Sequence, residues 1–435
     1  MFDFSPLLPI GAGAVAVGLT AAILIVWRDL GPMARLTATQ RVVLVVTLAG
    51  GVLAFGVKLA VIETLSLTGR DRLAPTLSAP EAEIGEPSTV VGRAVWEALP
   101  LEAPSPASNP TTPEKVALGR RLFFDPALSR DGTLTCASCH DLDRGGGADG
   151  RPTAVGIDGR IGPRNTPTVY NAAFQARLFW DGQARSLEEQ ALGPIVNPIE
   201  MGADPAEVVE RLKARADVVE DFAAAFGPGT AIDAARVVEA LAAFERTLVT
   251  ADAPFDRFVR GDASALTEQQ IRGMALFESV GCIVCHAGPG FSRASLLAPE
   301  KGSSGLRLFP ALPSVYTAKY RLIDDLGGAK AGRAGLWRVP SLRNVALTGP
   351  WLHNGSVSDL AEVVRIMATV QAGHVVTDGR VETQIEWSPQ SRRFTRRTPS
   401  ALREGDVADI VAFLKALTSD RLREAAERSA RADAR

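Results

Sequence analysis

The sequence predicts an all-α protein of two helical domains in tandem, preceded by two transmembrane helices. Three observations carry this. Apolar residues recur at helical spacing in segment after segment, while strand-like alternation is scarce. The pattern Gly-x-x-Leu-Phe followed by Cys-x-x-Cys-His occurs twice. Two apolar runs near the N-terminus are each about twenty residues long, enough to cross a bilayer. The 435-residue chain thus divides into an anchor (1–72), a tether (73–111), domains over 112–256 and 257–418, and a charged tail (419–435).

The first apolar run, 7–27, carries no charge, and the second, 42–62, only Lys58 near its end, where its stem can snorkel. A cleaved signal peptide would need Lys or Arg ahead of the first run, and Met1-Phe-Asp-Phe-Ser-Pro6 has neither. The connecting loop holds Arg28, Arg35 and Arg41 against Asp29, so the positive-inside rule makes it cytoplasmic and turns both chain ends outward. Glycines at 11, 13, 18, 50, 51 and 56 would let the spans pack closely. The Pro-, Ala-, Ser- and Glu-rich stretch that follows reads as a partly extended tether.

Thr112-Pro-Glu opens a helix with an N-cap, a proline at the first position and an acid in the first turn. It runs through Gly119-Arg-Arg-Leu-Phe123 to the first Cys motif. Thr267-Glu-Gln-Gln270 is a capping box that opens its counterpart, through Gly273-Met-Ala-Leu-Phe277 to the second. Helices are also expected over 205–214, 234–248, 357–370 and 406–417. The last puts Val407, Ile410, Val411, Leu414 and Leu417 on one face. Residues 145–150 and 302–335 read as loops, and the tail as a frayed helix without chemistry.

The two motifs are Cys136-Ala-Ser-Cys139-His140 and Cys282-Ile-Val-Cys285-His286, and they hold all four cysteines. Cys-x-x-Cys-His is the attachment site of a c-type haem: two thiols form thioethers, and the adjacent imidazole becomes the proximal iron ligand. A zinc site or a redox dithiol is the alternative, but neither gives a reason for His after the second Cys in both copies. The tandem units are therefore read as cytochrome-c-like domains carrying two haems. Covalent attachment takes place outside the cytoplasm, in agreement with the predicted topology. With 47 basic and 49 acidic residues, the balance argues against nucleic-acid binding.

Histidines are four: His140, His286, His353 and His374. No spare one lies between the first motif and the second. The first haem therefore has either Met201 as its sixth ligand or an open position, which is what peroxide binding requires. For the second haem the leading sixth ligand is Met367, on a face with Leu360, Val363 and Val364. Core filling is the alternative for a methionine so placed.

Four further stretches stand in order along the chain. They are Gly162-Pro-Arg-Asn-Thr-Pro167, Phe179-Trp-Asp-Gly182, Gly193-Pro194 with Ile199-Glu-Met201, and Val339-Pro-Ser-Leu-Arg-Asn-Val345 through Trp351-Leu-His-Asn-Gly355. In them the chain, from about 113 to 418, resembles the bacterial di-haem cytochrome c peroxidases and the related MauG-type enzymes. The resemblance implies a peroxidatic haem on His140 and an electron-transfer haem on His286. It implies Met367 as ligand, fourteen residues past His353, where MauG-type enzymes have tyrosine. It also makes Glu200 the distal acid, Gln190 its polar neighbour and Trp180 the tryptophan between the haems. Asn165, with the carbonyls of Thr348 and Pro350, would bind calcium, an ion that prefers oxygen ligands.

The reaction implied is reduction of hydrogen peroxide to water, with electrons from a small cytochrome c or copper protein. The setting is a bacterial cytoplasmic membrane with the haem domains in the periplasm, and the resemblance admits a homodimer. Two rivals stand beside it: a MauG-type oxidase of a protein substrate, and a membrane-anchored di-haem electron-transfer cytochrome. One departure concerns activation. Many relatives carry a blocking distal histidine where this chain has Ile157, so no reductive activation is expected. A second is the Arg-rich stretch 374–403, read as a solvated loop or a docking surface for an acidic partner. His353 is expected as a hydrogen-bond partner at a haem edge, with iron ligation as the alternative, and His374 as a solvated loop residue.

Overall fold

A computed structural model describes residues 96–147, 150–299, 304–329, 334–379, 384–388, 393–397 and 400–433. The two expected membrane spans lie outside these residues. Among the described residues no helix is long and apolar enough to cross a membrane.

The chain is mainly helical. In order, α1 is Pro113–Phe123, α2 Leu187–Val196, α3 Pro205–Lys213, α4 Ala216–Phe226, α5 Ala234–Glu245 and α6 Pro254–Val259. Then come α7 Glu268–Ser279, α8 Val315–Lys319, α9 Leu360–Val370, α10 Glu404–Ala416 and α11 Asp420–Asp433. The expected caps are present: Thr112 accepts from the Lys115 N–H, and Thr267 and Gln270 cap one another reciprocally. Helices α2, α4, α6 and α8 were not anticipated. Ser186 caps α2 by accepting from the Glu189 N–H, a signal passed over because the segment also contains Pro194; α4 has no side-chain N-cap, and α6 and α8 are only six and five residues long.

Each half is built on one crossed helix pair, and the repeated glycine is the reason. A Cβ on Gly119 of α1 would collide with the Ala240 carbonyl of α5. A Cβ on Gly273 of α7 would collide in the same way with the Asp409 carbonyl of α10. The phenylalanine four residues on then packs edge-to-face across each crossing. Phe123 lies 5.3 Å from Phe244, and Phe277 lies 5.4 Å from Phe413. One apolar cluster surrounds α1 and α5 and another α7 and α10, so each half has its own core.

Three expectations are corrected. First, the end of the tether is docked, not extended. Trp96 sits among Phe255, Phe277, Phe291 and Phe413 with ring centroids 5.9–6.5 Å away. The Leu99 N–H donates to Asp256 Oδ1 at 2.8 Å. Buried Asn109 donates to Glu188 and to the Glu239 carbonyl. Three anchors in a Pro- and Ser-rich run override its composition. Second, the tail is an ordered helix. Leu422 of α11 is buried in the first half's core, and Asp433 pairs with Arg144. Third, the segments read as loops contain strands. Leu306–Phe309 (β1) pairs with Gly335–Arg338 (β2). Val375–Val376 (β3) pairs with Ala401–Leu402 (β6), and Gln384–Ser388 (β4) with Arg393–Arg397 (β5). Pairs this short have no sustained alternation for a sequence reading to detect.

Candidate haem centres

Both Cys motifs fold alike. Cys136–Ser138 and Cys282–Val284 are single 3₁₀ turns, and each histidine N–H donates to the carbonyl of the first cysteine, at 2.9 Å for His140 and 3.0 Å for His286. The two thiols and the imidazole are thereby presented from one turn. His140 Nδ1 donates to the Gly146 carbonyl at 3.0 Å, and His286 Nδ1 to the Phe291 carbonyl at 3.0 Å. Pinning Nδ1 to a carbonyl fixes the tautomer and leaves Nε2 as the metal ligand. Burial holds His286 below the usual histidine range, in the neutral form that binds iron.

Burial pushes the thiols of Cys136 and Cys282 up to about 12. Among the described residues no three His, Cys, Asp or Glu side chains converge as a structural zinc site would require. A continuous cavity of about 1050 Å³ instead runs from one Cys motif to the other. It exceeds the usual range for one small ligand, roughly 300–1000 Å³. Its lining is largely apolar, as two porphyrin faces would demand, so the residues present fit two covalently held haems.

Glu200, Gln190, Trp180, Asn165, Thr348 and Met367 all line this cavity. Glu200 follows the turn after α2. The Asn197 amide donates to its Oε1 at 2.7 Å. Burial raises the carboxyl above its ordinary range, and the Asn197 bond partly opposes this. The Ile157 N–H donates to the Glu200 carbonyl at 2.7 Å, and Gly156 lies so close that a side chain there would collide with the Ile199 carbonyl. Ile157 itself is buried and does not line the cavity. Met201 packs in the first core and also reaches the cavity wall.

Met367 faces the cavity from α9 together with Leu360, Val363 and Val364, the face expected. Trp180 Nε1 donates to the Asn165 carbonyl at 2.8 Å, and the Asn165 N–H donates to the His353 carbonyl at 2.8 Å. These bonds tie the strip around Asn165 to the strip running from Thr348 to His353. Pro350 itself is not on the cavity wall.

His353 is buried, stacked 4.2 Å from Trp337 and edge-to-face with Trp180 at 6.5 Å. Burial pushes it down to about 4, and its Nε2 has no partner among the described residues. His374 is not a solvated residue: its Nε2 donates to the Val280 carbonyl at 3.0 Å, next to the second Cys motif.

Sequence reasoning passed over Trp337, Arg338 and Glu245, all on the cavity wall. Glu245 stands four residues after Leu241 and three before Leu248 on an apolar face. A lone acid in such a stripe was the available signal. Trp337 and Arg338 directly precede the Val339-Pro-Ser stretch and have no periodicity of their own.

The sequence pattern of a family described as di-haem cytochrome c peroxidase matches residues 113–264. The chain is 37% identical over 316 residues to cytochrome c peroxidase Ccp of Escherichia coli (strain K12), spanning 72% of this chain and 60% of that protein. It is 38% identical over 297 residues to cytochrome c551 peroxidase of Pseudomonas aeruginosa, covering 67% of this chain and 82% of that one. Among solved structures it resembles a MauG-like protein associated with microbial copper homeostasis. The TM-score is 0.61 at 33% identity, over 76% of this chain and 96% of the other.

Proposed function

The chain belongs to the di-haem cytochrome c peroxidase family, and from that premise we propose that it reduces hydrogen peroxide to water with electrons from a small cytochrome c or copper protein. The observation that carries this is the shared cavity, with a pinned imidazole at each end and a half-buried acid, Glu200, on its wall.

A haem at each motif supplies an iron that binds peroxide or passes electrons. His140 serves the peroxidatic site, and His286 with Met367 the electron-entry site. Asn197 holds Glu200 through Oε1, so Oε2 is the atom left for chemistry. As a carboxylate, Glu200 accepts the proton of one peroxide oxygen and returns it to the other, making water the leaving group. Gln190, on α2 and on the same wall, orients the peroxide. Trp180, fixed through Nε1 by the Asn165 carbonyl, lies on the path between the sites.

The first site works without reductive activation, since Ile157 is an apolar residue turned into the protein interior. Calcium is held by Asn165 Oδ1 with the carbonyls of Thr348 and Pro350. In support, the Asn165 amide nitrogen donates to the Pro152 carbonyl at 3.1 Å, which turns its oxygen the other way. Neither the Thr348 nor the Pro350 carbonyl accepts a backbone hydrogen bond among the described residues. The apolar runs 7–27 and 42–62 support a cytoplasmic-membrane anchor with the haem domains in the periplasm.

A steady-state assay with peroxide and a reduced small cytochrome c tests the reaction. Turnover by the fully oxidised enzyme is expected, and its absence with both haems present overturns the reading. The likeness to a MauG-like structure favours a second reading, oxidation of a protein substrate. Met367 opposes it, because MauG-type enzymes have tyrosine at that position.

A further inference from the structure

The cavity wall between the two Cys motifs carries a cation that the protein leaves without a counter-charge. Arg338, the last residue of β2, is 6% exposed. Its Nε donates to the Phe179 carbonyl at 2.9 Å, and Nη1 lies 3.5 Å from Gln175 Oε1; both partners are neutral. No carboxylate pairs with it among the described residues. The other buried guanidiniums are treated differently. Arg246 pairs with Glu188, and Arg343 pairs with Asp256 at 2.7 Å.

Burying a guanidinium without a counter-charge is costly, and two neutral acceptors offset only part of that cost. Burial alone pushes it down to about 10. A guanidinium's natural partner is a carboxylate, which its planar fork meets through two parallel hydrogen bonds. The groups expected in this cavity bring carboxylates with them, two propionates on each haem.

Position decides which haem. The Arg338 N–H donates to the Trp180 carbonyl at 2.8 Å, so the residue abuts the tryptophan between the sites. The backbone then continues along the second site. Ser292 Oγ donates to the Val339 carbonyl at 2.6 Å, and the Pro340 carbonyl faces the His286 imidazole. We propose that Arg338 receives a propionate of the haem attached at Cys282 and Cys285. It thereby acts as a positioning residue that holds that haem's edge beside Trp180. This rests on the haem-bearing reading of the two motifs and not on peroxide turnover.

The test uses the full-length holoprotein and Arg338→Gln and Arg338→Lys. Covalent haem is counted by mass spectrometry, and the two haem potentials are then read by spectroelectrochemical titration. Loss of a positive charge beside a propionate favours the oxidised haem. Arg338→Gln should therefore lower the potential of the methionine-ligated haem and leave the other near its parent value, with Arg338→Lys restoring most of the change. Unchanged potentials, or a shift confined to the His140 haem, overturn the proposal. Should Arg338→Gln not accumulate, resonance Raman of Arg338→Lys decides it: a shifted propionate-bending band supports the contact, and an unmoved one overturns it. A parent chain without covalent haem overturns the underlying reading and this inference with it.

Discussion

Half-buried Glu200 and buried Glu245 are carboxyl groups on one cavity wall, and their surroundings suit them to different tasks. Glu200 keeps a hydrogen-bond donor, Asn197, that stabilises its ionised form. It can therefore cycle between acid and base. Glu200→Gln should keep both haems yet lose peroxide turnover by about 10²- to 10⁴-fold, the usual worth of a positioned acid–base group. Near-parent rates would show that another residue moves the proton. Because burial raises its titration point, activity should fall on the acid side at a pH above the ordinary glutamate value, as the base form is lost. Glu245 has no such donor among the described residues and is pushed up to about 8 by burial, with Arg246 opposing. The folded chain keeps this proton after the unfolded chain has released it. Stability should therefore decline as pH rises from the ordinary glutamate range to about 8, by a few kcal/mol at most. Glu245→Gln should flatten that decline in urea titrations at pH 5 and pH 8, and an undiminished slope would place its origin elsewhere.

The helix pairs show what the repeated pattern encodes. Gly-x-x-Leu-Phe is legible as a repeat, but its cause lies in the partners, Ala240 and Phe244 in one half and Asp409 and Phe413 in the other. Each glycine lets two helix backbones touch, and the following Phe fills the adjoining angle. Gly119→Ala and Gly273→Ala should each destabilise the chain by about 3 kcal/mol or more, since the neighbour is main chain and cannot rotate away. Differential scanning calorimetry reads this, and a parent-like Tm in either variant would contradict the crossing. Caps and apolar periods announced α1, α3, α5, α7, α9 and α10; α2 has its cap at Ser186 but contains Pro194, and α4 has an apolar face but no side-chain cap. The Cys motifs were legible because chemistry fixes their residue types and spacing, and the resemblance pointed to Glu200 and Met367, which lie on the cavity wall. Arg338 and the Trp337–His353 stack were not, because they depend on strands and loops meeting across long sequence separations. Asn109 and Trp96 were hidden for a related reason: a Pro- and Ser-rich composition describes the average of a segment and not its anchors.

The described residues do not form a simple tandem, because the chain returns to its first half after completing the second. Helix α11 begins where α10 ends, yet buried Leu422 joins the core around α1 and α5. Farther along, Ser429 and Asp433 bind Arg144, Ser429 Oγ accepting from Nε at 3.2 Å. Arg144 ends the short turn Leu142–Arg144, and two residues later the Gly146 carbonyl holds His140 Nδ1. The C-terminal helix thus braces the loop that orients the first proximal imidazole. Tyr170, whose hydroxyl donates to the Leu142 carbonyl at 3.1 Å, supports the same loop, so removing the helix should loosen it without dismantling it. Leu422→Ala should cost about 2–5 kcal/mol, as for other buried leucines. Ending the chain after Thr418 should go further and broaden or shift the absorption of the His140 haem at unchanged covalent haem content. The second site should be spared, because the Phe291 carbonyl that holds His286 belongs to a loop packed on Phe255, Phe277 and Phe413. Selective perturbation of the first haem, read by magnetic circular dichroism, is the outcome this bracing demands. Equal perturbation of both would mean that α11 stabilises the molecule only in general.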